Sequence, residues 1–281
     1  MSYGRGYGRR RRSGGLKIRL LIAAVMIGFS LFSYYSTGQV NPITGEKQRV
    51  TLSPDEEVAM GLQAAPAMIR QHGDLLPDPR AQQNLDQVGD ELLSALNAWL
   101  RTEGRTNPYR FEFHLLSDNR SINAFALPGG QVFITNALYS KLQSQGQLAG
   151  VVGHEIGHVL SRHSAQRMAK QRLTSGITGA VGMAGGSFES ARMAKMVGNM
   201  INMKYGRQDE LESDRWGVLL CAEAGYDPSS MIGVMDILEA GSGGGPPEMM
   251  STHPKPANRK EYISNVIREV FPNGLPSGLR E

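Results

Sequence analysis

The sequence predicts a mainly helical α+β fold that follows one N-terminal membrane-spanning helix. An apolar stretch near the start is long enough to cross a bilayer. Through most of the remaining chain of 281 residues, apolar side chains recur at three- and four-residue steps, as they do on one face of a helix. Two short segments instead alternate apolar and polar residues, which is typical of strands. We therefore expect one helical domain with a small antiparallel sheet.

The N-terminal segment predicts a signal anchor. Residues 20–45 contain no charged side chain, and Leu20 to Tyr35 is dominated by aliphatic and aromatic residues. Basic residues favour the cytoplasmic side of a membrane. We therefore expect a basic cytoplasmic tail over residues 1–19, an uncleaved transmembrane anchor over 20–38 and one domain over 39–281 on the other side. The basic side chains are Arg5, Arg9, Arg10, Arg11, Arg12, Lys17 and Arg19.

The basic character of the chain comes from this tail. Without those side chains, acidic residues outnumber basic ones in the remainder. A nucleic-acid-binding domain carries its basic patch on the folded part, so we expect the tail to contact anionic lipid and expect no nucleic-acid partner. The single cysteine, Cys221, lies in an apolar helical run and is expected to be a buried core residue.

The elements of the domain have separate signals. Residues 54–101 have the pattern of a helix, which Pro77 and Pro79 interrupt between Leu76 and Ala81. Alternation predicts strands at 109–115 and 131–135, with a turn between paired strands at Pro128-Gly129-Gly130. The other expected segments are a helix from Ser144 to Gln171, a flexible crossover from Thr174 to Ser187 and a mobile loop from Gly241 to Pro247. The helically spaced Met193, Met196, Met200 and Met203 form either a core stripe or an adaptable lid over the active-site cleft.

Two histidines four residues apart form the most specific pattern in the chain. On the predicted helix, His154 and His158 lie one above the other, a spacing that suits two ligands of a tetrahedral zinc ion. Glu155, directly after the first histidine, can then reach a water held on the metal. His163 lies five residues beyond His158, about 140° around a helix. We therefore expect His163 to be structural and to point away from the metal.

A second pair of residues four apart offers the third ligand that a catalytic zinc site needs. Glu210 and Asp214 lie on one face of a second predicted helix. Glu210 could bind the zinc, while Asp214 accepts a hydrogen bond from the far nitrogen of a ligand histidine. Glu212 is about 200° around from Glu210 and should face elsewhere.

These motifs and several other segments together resemble the membrane-associated zinc metallopeptidases of peptidase family forty-eight, in the Oma-like branch with a soluble catalytic domain. The resemblance covers roughly residues 41–270. It implies a gluzincin-type fold with one Zn²⁺ per chain, His154, His158 and Glu210 as ligands, Glu155 as general base and Asp214 as partner of a ligand histidine. The other segments that carry it are Asn41-Pro42-Ile43-Thr44-Gly45, Ser53-Pro54-Asp55-Glu56-Glu57, Asn123 to Gly130, and Thr252-His253-Pro254 with Arg259.

The resemblance implies a zinc-dependent endopeptidase in which a zinc-bound water attacks the peptide bond. Unfolded or damaged envelope proteins are the expected substrates, and protein partners stay undefined. An extended substrate is expected to add a strand beside Asn123, Ala124, Gly129 and Gly130. We expect a single-pass protein of the bacterial inner membrane with a periplasmic catalytic domain; the alternative location is the mitochondrial inner membrane.

Two alternatives stay open at the level of sequence. His253 is a core residue, a donor to the oxyanion of the transition state, or a reversible plug on the zinc. A different function is also possible, namely a membrane-anchored chaperone or assembly factor whose zinc is structural. Glu155→Gln separates the two functions, because an assembly factor keeps its function and a protease loses it.

Overall fold

The computed structural model describes residues 13–185, 205–240, 249, 253 and 258–281. It confirms a mainly helical α+β chain with small sheets. Its contacts divide it into two compact units. One contains α1 (Ser13–Ser36) and, from Ala169 onwards, α6 (His163–Gly185); the other contains the rest of the described chain from Gly38.

Helix α1 is the apolar N-terminal helix that the sequence predicts. Its stretch Gly15–Ser36 is long and apolar enough to cross a membrane, with a mean hydropathy of 1.9. Large apolar side chains such as Phe29 and Phe32 are exposed. An exposed apolar surface of this length is expected when lipid is the surrounding solvent.

The second unit opens with a hairpin and two helices. Strands β1 (Gly38–Val40) and β2 (Lys47–Arg49) pair antiparallel. Helix α2 (Pro54–Gln71) begins with a capping box at Ser53, and α3 (Pro79–Thr102) begins at Asp78, so the predicted interruption around Pro77 and Pro79 is confirmed. The apolar face of α3 enters the core through Leu85, Val88, Leu92, Leu96 and Leu100.

The three-stranded sheet differs in one respect from the prediction. Its strands are β3 (Glu112–Leu116), β4 (Ala124–Ala126) and β5 (Gln131–Thr135), in the order β3-β5-β4. The turn after β4 pairs β4 with β5 antiparallel as expected, but β3 and β5 run parallel, so the sheet is mixed. The chain reverses twice between β3 and β5, which returns β5 to the direction of β3.

A buried helix crosses the middle of this unit. After the short α4 (Asn136–Tyr139), α5 (Gln145–Leu160) is buried at nearly every position. It packs on α3, on β4, on α7 (Arg207–Glu223) and on α8 (Ser230–Ala240). The last described helix, α9 (Arg259–Val270), packs against α7 and α8. Cys221 is fully buried, as predicted.

The prediction of one helix from Ser144 to Gln171 is wrong, because α5 ends at Leu160 and a second helix follows. Arg162 adopts a left-handed conformation with φ of 56°, and α6 then begins at His163. The buried guanidinium of Arg162 donates to Glu57 at 2.7 Å and to the carbonyl of Leu52 at 2.6 Å. These hydrogen bonds to Leu52, before α2, and to Glu57, within α2, stabilise the turn at Arg162. The sequence around Arg162 does not predict this turn.

The expected flexible crossover from Thr174 is also wrong as far as Gly185, since α6 continues through these residues as helix. The predicted methionine stripe from Met193 to Met203, the loop from Gly241 to Pro247 and the basic residues from Arg5 to Arg12 lie outside the described residues.

Candidate metal centre

Glycines bring the two helices of the centre into backbone contact. A Cβ atom at Gly153 of α5 would lie 3.2 Å from the Cα of Gly217 on α7. At Gly157 a Cβ would lie 2.8 Å from the Cβ of Trp216 and 3.0 Å from the Cα of Ser213. Because no side chain separates the helices at these points, short side chains on α5 and α7 can meet.

Four buried side chains meet where the helices cross. His154 and His158 of α5, Glu210 of α7 and His253 each offer a ligand atom, and all of these atoms lie within 4.8 Å of one another. The Nε2 atoms of His154 and His158 are 3.1 Å apart, and Nδ1 of His253 lies 3.0 Å from Oε1 of Glu210. The structure thus gathers the three predicted ligands and adds His253 as a fourth member.

The donor set fits a zinc ion. Imidazole nitrogen and carboxylate oxygen are usual zinc ligands, and a metal-binding imidazole must be neutral. Burial, and then the neighbouring imidazoles of His154 and His253, hold the pKa of His158 well below its usual value. Oε2 of Glu210 and Nε2 of His253 are buried without a hydrogen-bond partner in the described structure. Buried polar atoms that lack a hydrogen-bond partner are expected where a cation binds.

Asp214 and Arg259 support the cluster from behind. Oδ1 of Asp214 lies 2.9 Å from Nδ1 of His154, on the ring edge away from the cluster. Nε of Arg259 donates to Oδ2 of Asp214 at 2.8 Å, and Nη1 lies 3.3 Å from Oε2 of Glu210. Burial raises the pKa of Asp214, but Arg259 and His154 together outweigh burial and the net shift is downward. The net shift of the Glu210 pKa is also downward, because His253, His154 and Arg259 together outweigh its burial.

Glu155 is fully buried, and neither of its carboxylate oxygens has a hydrogen-bond partner in the described structure. Nε2 of His253 is 3.9 Å from Oε1 of Glu155. Burial raises the pKa of Glu155, against the lowering effect of His253 and His154. A carboxylate with free acceptor atoms and a raised pKa is suited to accept a proton from a water beside it.

Sequence reasoning missed two neighbours of the cluster. The ring of Tyr205 stacks at 4.2 Å from the ring of His158 and lies 5.1 Å from that of His253. Arg259 entered the sequence analysis only through the resemblance, without a role. Neither residue belongs to a local pattern with the histidines, so no spacing could have connected them. His163 lies outside the four-residue cluster, as expected, and contacts His158.

The residues expected to contact substrate have different surroundings. Asn123 and Ala124 are buried at the start of β4, and β4 is an edge strand of the described sheet. A Cβ at Gly129 would lie 2.3 Å from the Cα of Val58, and one at Gly130 would lie 2.5 Å from the carbonyl oxygen of Arg110. These two glycines make room for α2 and for the chain before β3. That a substrate strand binds beside Gly129 and Gly130 stays a prediction.

The family model described as peptidase family M48 matches residues 79–267, which include α5, α7 and the cluster. The chain belongs to peptidase family M48. This confirms the resemblance noted from the motifs.

The relatives of this M48 chain are bacterial and mitochondrial. A "Beta-barrel assembly-enhancing protease" of Escherichia coli (strain K12) is 31% identical over 266 residues, which are 91% of this chain and 53% of the relative. A "Mitochondrial metalloendopeptidase OMA1" of Schizosaccharomyces pombe is 26% identical over 259 residues, which are 90% of this chain and 73% of the relative. The chain spans about half the length of the bacterial relatives it matches.

Proposed function

We propose that this M48 chain is a zinc-dependent endopeptidase in which His154, His158 and Glu210 hold the metal and Glu155 is the general base. The observation that carries the proposal is the buried carboxylate of Glu155, which has no hydrogen-bond partner among the described residues and lies beside three imidazoles and a second carboxylate. Bound zinc supplies a Lewis acid that polarises the scissile carbonyl and lowers the pKa of water.

The protein groups have separate tasks in this reaction. Glu155 accepts the proton of the attacking water and returns it to the leaving amine. Asp214 fixes the ring of His154 through Nδ1, at 2.9 Å, and Arg259 holds Asp214 in place. Burial of all these groups excludes bulk water, which strengthens their electrostatic interactions.

The test compares the full chain in detergent with its Glu155→Gln variant. The measurements are zinc content and cleavage of casein as an unfolded substrate. Loss of a general base costs about 10²- to 10⁴-fold in rate, so Glu155→Gln should keep its zinc and lose cleavage by that factor. Equal cleavage by the two proteins would contradict the proposal. If Glu155→Gln still complements a strain that lacks this protein, the assembly-factor alternative is favoured.

His253 is proposed to be a reversible plug on the metal. It is the fourth member of the cluster, and a zinc site with four protein ligands has no open position for water. His253→Ala should then raise cleavage of casein while zinc content stays the same. A fall in cleavage would favour the alternative role, in which His253 stabilises the transition state.

Asn123 is proposed to bind the backbone of an extended substrate along the edge of β4, with Ala124 as its neighbour. The side-chain oxygen of Asn123 is buried and lacks a partner in the described structure. Loss of a buried hydrogen bond costs about 1–3 kcal/mol. Asn123→Leu should therefore raise KM roughly tenfold or more with little change in kcat and zinc content. An unchanged KM would remove Asn123 from the substrate site.

The apolar helix α1 indicates membrane association, and we propose a single-pass anchor over residues 20–38 with the basic tail of residues 1–19 in the cytoplasm and the domain of residues 39–281 in the periplasm. The distribution of basic residues supports this orientation. The proposed substrates are unfolded or damaged envelope proteins, and the bacterial relatives are named for enhancing β-barrel assembly. The mitochondrial inner membrane is the alternative location, since the OMA1 relatives are named as mitochondrial. A phosphatase that is active only in the periplasm, fused after Glu281, should be active in bacteria. An inactive fusion would indicate the opposite orientation.

A further inference from the structure

His158 faces a second histidine on the ring edge opposite the metal cluster. Its Nε2 atom points into the cluster, 3.1 Å from Nε2 of His154 and 3.6 Å from Oε1 of Glu210. Its Nδ1 atom lies 2.9 Å from Nδ1 of His163. Both imidazoles are buried, with 2% of each residue exposed. At that distance and burial, one of the two Nδ1 atoms must donate a proton and the other must accept it.

The metal site decides which nitrogen donates. If Nε2 of His158 binds a metal as a neutral imidazole, its proton must be on Nδ1, and Nδ1 of His163 must accept it. The proton of a neutral His163 is then on Nε2. That atom lies 3.2 Å from Oε2 of Glu212, which is an acceptor. The chain of bonds from His158 through His163 to Glu212 therefore has one donor and one acceptor at each link.

The surroundings of His163 keep this arrangement in one orientation. Ser161 donates its hydroxyl to the other oxygen of Glu212. Oγ of Ser213 lies 3.4 Å from Nδ1 of His163, and Oδ1 of Asp209 lies 4.0 Å from Nε2. His163 is also the first residue of α6, directly after the left-handed turn, so its backbone position is set by the buried Arg162.

We propose that His163 is a positioning residue of the metal centre, which fixes the tautomer and ring orientation of His158 while Glu212 holds His163. It thereby has the same relation to His158 that Asp214 has to His154. The inference rests on the proposed function only in that His158 must be a metal ligand. It does not require the chain to cleave peptides.

The test measures zinc affinity of the full chain in detergent by competition with a chromophoric chelator. Loss of a partner of a metal-binding histidine weakens metal affinity about 10- to 100-fold. His163→Leu, which cannot accept the proton, should show that loss. His163→Asn places an amide oxygen near the position of Nδ1, and this variant should recover most of the affinity. Cobalt substituted for zinc should show shifted d–d absorption bands in His163→Leu and wild-type bands in His163→Asn.

His72→Asn is the matched control. His72 is also buried and bonded to a carboxylate, with Nδ1 3.4 Å from Oδ2 of Asp118, but it lies outside the cluster. Its replacement should leave zinc affinity and the cobalt spectrum unchanged. Wild-type affinity and spectrum in a folded His163→Leu variant would overturn the proposal.

A second variant covers the case in which His163→Leu does not fold. The side chain of Glu212 is 35% exposed, so it can be removed without opening the core. Glu212→Ala should weaken zinc affinity in the same direction as His163→Leu, and unchanged affinity would overturn the proposal. Wild-type protein that binds zinc but cleaves no substrate would contradict the proposed peptidase function alone.

Discussion

At the scale of single residues, Arg259 shows how one buried cation stabilises this centre. It lies against two buried carboxylates, those of Asp214 and Glu210. Removing one partner of a buried ion pair leaves an uncompensated charge, at a cost of about 3–5 kcal/mol. Arg259→Met keeps a long side chain and removes its charge. This variant should lower the free energy of unfolding of the metal-free protein by about 3–5 kcal/mol, measured by urea unfolding.

Arg215→Met is the control for this prediction. Arg215 pairs with Glu269 at 2.9 Å, but both side chains are largely exposed. Exposed pairs contribute about 0–1 kcal/mol. Equal losses in the two variants would show that burial does not set the contribution of Arg259.

Glu91 gives a prediction for pH dependence. Bonds from Arg280 and, at 2.7 Å, from the hydroxyl of Tyr226 lower its pKa to about 2, although partial burial opposes them. A carboxyl with a lowered pKa stabilises the folded state above its unfolded pKa, and this contribution is lost as pH falls through the folded pKa. The difference in unfolding free energy between wild type and Glu91→Gln should thus be largest near neutral pH and shrink between about pH 4.5 and pH 2, as followed by urea unfolding. A difference that does not change with pH would contradict the assigned pKa.

At the scale of elements, the contact between α5 and α7 depends on glycine. A Cβ at Gly157 would meet Trp216 and the backbone of Ser213, which cannot move without shifting a helix. Gly157→Ala should cost about 1–3 kcal/mol of stability through overpacking and should weaken zinc binding. The measurements are thermal unfolding and chelator competition.

Gly179→Ala provides the comparison within a helix. Among the described residues, no atom lies within 4 Å of a Cβ built at Gly179. Alanine is favoured over glycine in a helix by about 0.5–1 kcal/mol, so this variant should be neutral or slightly more stable. A destabilised Gly179→Ala would indicate that the effect at Gly157 is not specific to the contact between helices.

The elements also show where prediction from sequence stops. The spacing of His154 and His158 predicted both the helix and the shared face, because helical periodicity is a local property. The end of that helix at Leu160 depends on distant residues instead. Asn41 donates to the carbonyl of Leu160 at 2.8 Å, and Arg162 reaches Glu57. Partners so far apart in sequence leave no local pattern. The parallel pairing of β3 with β5 could not be predicted for the same reason, because it also depends on contacts between distant residues.

At the scale of the whole molecule, the centre is assembled from segments that only the tertiary fold brings together. The sequence predicted His154, His158 and Glu210 as ligands from two helical spacings, and the fold places them in one cluster. It left three roles open for His253 and gave none to Tyr205. His253 joins the cluster and Tyr205 contacts it, each from a separate segment of the chain, and their positions follow from the fold.

Zinc removal tests how far the fold depends on the metal. The helices α5 and α7 pack directly on each other, and Arg259 and Asp214 form a buried ion pair beside the cluster. Treatment with a chelator should therefore abolish cleavage and leave the far-ultraviolet circular dichroism spectrum nearly unchanged, with activity restored by added zinc. Loss of the helical signal on chelation would show that the metal is needed to fold the domain.

The glycine contact between α5 and α7 has a consequence for protein engineering. The backbones of α5 and α7 meet directly at Gly153 and Gly217. The distance between the helices that carry the proposed ligands therefore cannot be adjusted by changing a side chain at this contact. A library of variants made to alter cleavage preference should therefore keep Gly153 and Gly217 unchanged and vary the residues around β4 and Tyr205. Every member of such a library would keep the contact between α5 and α7 that positions the proposed metal ligands, and selection would act on the varied residues alone.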